Sequence, residues 1–277
     1  MNRRPPADWT AAITGWGGWL QAGAVRPATL ALRLFQLRRF ARDHRHLGPW
    51  DVDAAAVAGW VGGHGWQAET IRSHRAALRS FYGWAHSSGL TGHDPSRLLR
   101  KVPPAQIRPR PAPDAAVAAA LAAADPRLTL MIELGSRHGL RRGEIAQAHT
   151  RDLLEDLDGW SLTVHGKGGK DRDVPLLPQT AAVLRSLPGG WCFPNGRGGH
   201  LTPAHTGKLL RIALSGSAEA GRVTGHQLRH RFATRAYLAT GDLLSVQQLL
   251  GHASPATTQR YVLGDSARRR AVAAAAA

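Results

Sequence analysis

Cysteine is nearly absent from these 277 residues: Cys192 stands alone, so no internal disulfide can form, and that usage fits a reducing compartment. No uninterrupted apolar run approaches the ~20 residues of a spanning helix. The charged start Met1-Asn-Arg-Arg-Pro-Pro leads into no apolar core, so neither a membrane span nor a signal peptide is expected. Histidine, cysteine and acidic residues nowhere fall at metal-ligand spacing, and no metal or other cofactor is expected. Acids are scarce, 19 against 36 Lys and Arg, for a formal net charge of +17. That excess points to a polyanionic partner, although charge alone admits nucleic acid, a ribosome or an anionic membrane surface equally. Lysine is the rarer of the two bases. Only Lys101, Lys167, Lys170 and Lys208 are present, and two of these share one turn.

What is present begins with helices. Residues 1 to about 104 read as helical throughout. Leu30, Leu32, Leu34, Phe35 and Leu37 recur over 28–40 with Arg33, Arg38, Arg39 and Arg42 interleaved. Over 70–85, Ile71, Ala76, Leu78, Phe81, Tyr82 and Trp84 hold helical spacing. Arg72, Arg75 and Arg79 take another face there and are candidates for phosphate contact. Ser96 is expected to cap a short helix over 97–102. Seven tryptophans, Trp9, Trp16, Trp19, Trp50, Trp60, Trp66 and Trp84, crowd this half, and core packing rather than base stacking is their expected role. Basic residues outnumber acids 16 to 6 over 1–112 and 20 to 13 in the remainder, so both halves suit the same anionic partner.

Five prolines between Val102 and Pro113 mark an extended linker. Asp114 is then expected to cap a helix over 115–124, and a further amphipathic helix over 128–138 stops at Gly139. Two strand-like runs, 160–165 and 172–177, flank the glycine-rich turn Gly166-Lys-Gly-Gly-Lys-Asp171. A helix over 180–187, a short extended piece at Trp191-Cys-Phe-Pro and a helix from Thr202-Pro203 to about Leu214 follow; on the last, Lys208 and Arg211 are candidates to face a groove. His226 and Arg229, three apart, share one helical face, with Leu228 and Phe232 on the neighbouring face expected to be buried. That helix stops at Gly241, and a short one over Leu243 to Leu250 ends at Gly251 beside His252. Ser254-Pro255 opens a third, on which Tyr261 lies nine positions after His252.

Taken singly these residues are ordinary: Arg141–Glu144 reads as a helical ion pair, and either histidine as an interior one. Together they resemble the tyrosine recombinases, the phage-integrase and Xer group. That family's boxes read G-L-R-x-x-E, V-x-G-K-G-x-K-x-R-x-V-P-L, H-x-L-R-H-x-F-A-T and L-L-G-H, with a tyrosine nine residues after the last. They stand here from Gly139, Val164, His226 and Leu249, with Tyr261 closing the set. The resemblance implies an α-helical N-terminal core-binding (SAM-like) domain over 1–104, a proline-rich linker over 105–113, and a mainly α catalytic domain over 114–277. The catalytic domain would carry a small antiparallel β-sheet (α+β), the tyrosine recombinase fold.

It also implies the chemistry. Arg141 and Arg229 would clamp the scissile phosphate, with His252 adding a hydrogen bond. Tyr261 would attack phosphorus to leave a 3′-phosphotyrosyl link and a free 5′-hydroxyl, without metal or ATP. Lys167 would protonate the departing oxygen, and His226 would take or hold the tyrosine proton. An independent argument favours Lys167: lysine is retained in a chain that otherwise uses arginine, and only lysine can give up its proton. Glu144 and His230 would support these residues from behind, and Lys170 suits a phosphate contact. The implied partners are double-stranded attachment or recombination sites and a homotetramer in the synaptic complex. A directionality factor or a host DNA-bending protein is a further candidate partner, and no membrane is involved. A cytoplasmic, nucleoid-associated location follows.

A compact phage or prophage integrase lacking an arm-binding domain is the favoured expectation, with a Xer-type resolvase or transposon recombinase as alternative. A catalytically silent DNA-binding relative belongs to another class, and a type IB topoisomerase shares the chemistry but fits the box order less well. The tail ending Ala-Arg-Arg-Arg-Ala-Val-Ala-Ala-Ala-Ala-Ala admits a frayed end, a subunit-docking helix or a degradation tag.

Overall fold

A computed structural model describes residues 5–103, 110–166, 169–216, 223–251 and Ala274. The chain divides into two compact units, Met1–Gln106 and Ile107–Ala277. Among its described residues the first holds four helices, α1 (Ala7–Ala22), α2 (Pro27–Asp43), α3 (Ala54–Gly62) and α4 (Ala68–Ser87). Pro27 begins α2, where its missing N–H has no partner to lose. Asp53 caps α3 by accepting the Ala56 N–H at 2.7 Å. Aromatic rings fill the core. Trp9 and Phe40 meet edge to face at 5.7 Å, and Trp16 meets Phe81 likewise at 5.6 Å. Trp9 and Trp16 are fully buried and Trp60 nearly so, as packing residues should be; Trp19, 50% exposed, is the exception.

The expected helix over 97–102 does not form. Asp94, not Ser96, organises the segment: its Oδ1 accepts both the Ser96 N–H (2.9 Å) and the Ser96 hydroxyl. A turn over 95–98 results, and Arg75 Nε then holds the Leu99 carbonyl at 3.0 Å. Side-chain bonding to nearby backbone competes with helix here, as short polar side chains tend to do.

The second unit contains α5 (Asp114–Ala123), α6 (Pro126–Ser136), α7 (Arg142–Ala146), a 3₁₀ turn (Thr150–Asp152), β1 (Leu153–Asp156), β2 (Gly159–Val164), β3 (Arg172–Pro175), α8 (Pro178–Ser186), α9 (Pro203–Leu214), α10 (Gly225–Thr240) and α11 (Leu243–Leu250). The three strands form an antiparallel meander in the order β1-β2-β3, with Leu162 opposite Leu153 and Val174, and Val164 opposite Arg172. Strands β2 and β3 fall close to the two expected runs. β1 is short and mostly exposed, so it carries too little apolar alternation to be read from sequence.

Helix α6 lies at the centre of this unit, packed against α5, α8, α9 and α10. Gly135 lets α10 come close; a Cβ there would stand 3.1 Å from Leu228 Cδ1. Two boundaries differ from expectation. Asp125 caps α6 through the Leu128 N–H (2.7 Å), so the helix starts at Pro126 and ends at Ser136. Asp114 does not cap α5. Pro113 occupies that position, and the Asp114 carboxylate instead pairs with Arg231 at 2.6 Å and Arg235 at 3.4 Å, tying α5 to α10. Within the expected linker, Ala112 is buried and donates its N–H to the Gln227 carbonyl at 3.0 Å, while 104–109 lie outside the described residues.

Candidate active site

The chain reverses after α6 at Gly139, whose φ of +70° is open to glycine at little cost. A Cβ there would also lie 2.5 Å from the Phe232 ring, and Phe232 is itself partly buried against α11. The reversal leaves Arg141 as the residue before α7, with Glu144 one turn in. Glu144 Oε2 accepts the Arg141 backbone N–H at 2.8 Å and Oε1 accepts Arg141 Nη1 at 2.6 Å. From β3, Arg172 grips the same carboxylate with both terminal nitrogens, at 3.1 and 2.9 Å. From α10, Arg229 Nη1 approaches it to 3.8 Å and donates to the Gly139 carbonyl at 2.7 Å. One buried carboxylate thus serves three guanidiniums. Burial would raise its pKa, but the bonds from Arg172 and Arg141 outweigh that and hold it below the ordinary glutamate value.

The same three arginines close the C-terminal end of α11. Arg172 Nε donates to Leu249 O (2.6 Å), Arg229 Nη2 to Leu250 O, and Arg141 Nη2 to Gly251 O (3.3 Å). These carbonyls have no intrahelical donor and carry the negative end of the helix dipole, so cations suit them. Gly251, in the left-handed conformation at φ +60°, ends the helix with the Arg172 side chain close against it. Gly251 is therefore delivered to the arginines, and His252 is the next residue of the chain.

His226 stands in the first turn of α10. Partial desolvation first, then the charges of Arg229, Arg141 and Arg142, hold its pKa below the ordinary histidine value. Its ring meets His230 edge-on at 4.4 Å, and His230, buried beside it, is pushed down to about 4 mainly by desolvation. Both imidazoles are accordingly neutral near pH 7, the state in which a ring nitrogen can accept a proton. A neutral histidine pair beside several cations and one carboxylate makes a site suited to an anion with developing charge.

Arg141, Glu144, Arg229, His226 and His230 are thus brought together, as their shared boxes suggest. Lys167, His252 and Tyr261 lie outside the described residues. Arg172 is the residue that sequence reading missed. Its signal was the arginine of the K-x-R step after Lys170, which reads there only as part of a strand. Arg142, exposed and lying over α9 at Gly207, was also passed over. Lys208 and Arg211 are exposed on α9 and Lys170 is exposed in its turn. In the first unit the three candidate arginines already have internal work: Arg72 pairs with Glu69 at 2.7 Å, Arg79 with Asp94 at 3.2 Å, and Arg75 with the Leu99 carbonyl.

The family model described as the phage integrase family matches residues 114–268. The chain is a tyrosine recombinase. Like other members, it is an enzyme of DNA cleavage and strand exchange. This recombinase is 36% identical to tyrosine recombinase XerC of Rhodospirillum centenum over 288 residues, covering 92% of the chain and 83% of the relative. It is 35% identical to tyrosine recombinase XerD of Caulobacter vibrioides over 236 residues, 76% and 77% of the two chains. Among solved structures, a lambda integrase dimer bound to a COC′ core site aligns with a TM-score of 0.73 at 19% identity, over 91% of this chain and 76% of that one. The XerH site-specific recombinase in its post-cleavage complex with a palindromic difH substrate aligns with a TM-score of 0.69 at 20% identity, over 88% and 78%. These likenesses establish the recombinase fold, mostly helical with a small antiparallel sheet. Among the described residues, no helix is long and apolar enough to cross a membrane.

Proposed function

We propose that this recombinase is of the Xer kind, exchanging strands between paired recombination sites on double-stranded DNA as a homotetramer in the cytoplasm. The observation that carries the reading is the 36% identity to a XerC protein across 92% of the chain. The expectation of a compact phage integrase has support only at the level of fold, from lambda integrase at 19% identity. One related structure is a lambda integrase tetramer on a Holliday junction, which supports a four-protomer assembly here.

In this reading Arg141 and Arg229 bind the nonbridging oxygens of the scissile phosphate, and His252 adds a further donor. Arg141 is the better placed to turn outward, since its side chain is 39% exposed while that of Arg229 is 1% exposed. Tyr261 attacks phosphorus, the P–O5′ bond breaks, and the 5′-oxygen takes a proton from Lys167. Neutral His226 accepts or aligns the tyrosine proton. Residues 1–104 would clamp one side of the duplex and the catalytic part the other, through Arg72, Arg75, Arg79, Lys170, Lys208 and Arg211.

The test uses a nicked suicide duplex carrying paired half-sites around a ~6–8 bp spacer, the family expectation for clamp-type dimers on paired half-sites. Wild type is expected to form an SDS-resistant DNA adduct and Tyr261→Phe none; an adduct with the phenylalanine variant would discard the nucleophile assignment. A plasmid with two directly repeated copies of one site should be resolved into two circles. Recombination restricted to two unlike attachment sites would overturn the Xer reading while leaving the chemistry intact.

A further inference from the structure

We propose that His165 is a positioning residue for the turn that carries Lys167, clipping both arms of the β2–β3 hairpin to each other and to the 3₁₀ turn. The proposal rests on the reading of Lys167 as proton donor. His165 directly follows β2, Asp171 directly precedes β3, and Asp152 ends the 3₁₀ turn before β1. The His165 ring sits between the two carboxylates, with Nδ1 2.9 Å from Asp171 Oδ2 and Nε2 3.3 Å from Asp152 Oδ1. A neutral imidazole has one N–H, so only the imidazolium serves both carboxylates. Two residues back on the same strand face, the Thr163 hydroxyl donates to Asp173 Oδ1 at 2.6 Å and makes a second tie between the arms.

The surroundings favour the charged form. Asp171 first and Asp152 second raise the His165 pKa above the ordinary histidine value. Asp152 is the anchored end, with its side chain 11% exposed, whereas His165 and Asp171 are about half exposed at 48% and 49%. Arg151 Nε, 3.7 Å from the same Asp152 oxygen, competes for it, and Lys170 lies exposed in the turn beside Asp171. Because the pKa is raised on folding, the clip is complete below the ordinary histidine pKa and is lost as pH rises through the raised value. Its position matters because Lys167 is two residues from His165 and must reach one oxygen atom, and proton transfer tolerates little displacement.

The test compares cleavage of an ordinary suicide duplex with one whose scissile 5′-oxygen is replaced by sulfur, since a thiolate leaves phosphorus without needing a proton. His165→Leu is expected to slow cleavage of the ordinary substrate on the order of ten- to a hundredfold, to leave DNA affinity unchanged, and to cleave the sulfur substrate at close to the wild-type rate. His165→Arg, which keeps a cation with several donors, should retain most activity and flatten the decline in rate as pH rises through the raised histidine value. Equal losses on both substrates, no loss on either, or a loss of DNA affinity would overturn the proposal. Lys167→Ala, run alongside, separates the two ideas. If sulfur rescues Lys167→Ala but not His165→Leu, the clip fails and the proton donor stands; if it does not rescue Lys167→Ala, both fall.

Discussion

At the scale of single residues, Glu144 decides the state of the site. Its carboxylate is buried and held ionised by the three arginines around it, so it sets where they point. Glu144→Gln would leave Arg172, 11% exposed, without its counter-charge, and the expected loss is about 3 kcal/mol of stability by urea unfolding. The sign with pH follows from the lowered pKa. The stabilisation is full above the ordinary glutamate value of 4.5 and is lost as pH falls through the lower folded value. A stability–pH curve should therefore fall on the acid side for wild type and flatten there for Glu144→Gln; identical curves would show that the carboxylate is not so held.

At the scale of elements, close approach among α6, α10 and α11 places the arginines. Gly139→Ala would combine a φ of +70° with a Cβ 2.5 Å from the Phe232 ring, and about 3 kcal/mol of destabilisation is expected by thermal or urea unfolding. Leu228→Ala, emptying a fully buried position between α10 and α6, should cost about 3 kcal/mol by the same measurement. His138 joins β3 to α8. Its Nδ1 faces the Pro175 carbonyl at 3.2 Å and must donate, so Nε2 accepts from the Thr180 hydroxyl at 3.1 Å. That neutral tautomer agrees with a pKa pushed down to about 4, chiefly by desolvation. Stability from this bridge is present above pH 6.5 and lost as pH falls through about 4. His138→Gln should remove that part of the acid loss, measured as unfolding free energy across the same pH range.

At the scale of the whole molecule, a net charge of +17 makes binding to DNA strongly salt-dependent. The double change Lys208→Ala with Arg211→Ala is expected to reduce the slope of log affinity against log salt by about 2, one for each phosphate no longer neutralised. Fluorescence anisotropy titrations at several salt concentrations measure it. An unchanged slope would place α9 away from the duplex.

Much of this protein is legible in the chain alone. Helix positions follow from apolar periodicity, Gly139, Gly241 and Gly251 mark turns that need left-handed backbone, and the boxes around Arg141, Lys167, His226, His252 and Tyr261 carry the resemblance to the recombinase family. These are local signals, each readable within a window of a dozen residues or fewer. Capping is legible less reliably, because Asp94, Ser96 and Asp114 all have polar side chains that choose between nearby backbone and distant arginines. Only the tertiary structure decided that choice. It also decided that Arg172 shares Glu144 with Arg141, and that three carbonyls at the end of α11 receive the three guanidiniums. Those bonds join residues as far as 28 and 110 positions apart, and spacing along a chain holds no record of which distant donor a buried acceptor will meet. Burial imposes that pairing, because an unpaired carboxylate or helix end inside the fold costs more than any one local preference returns.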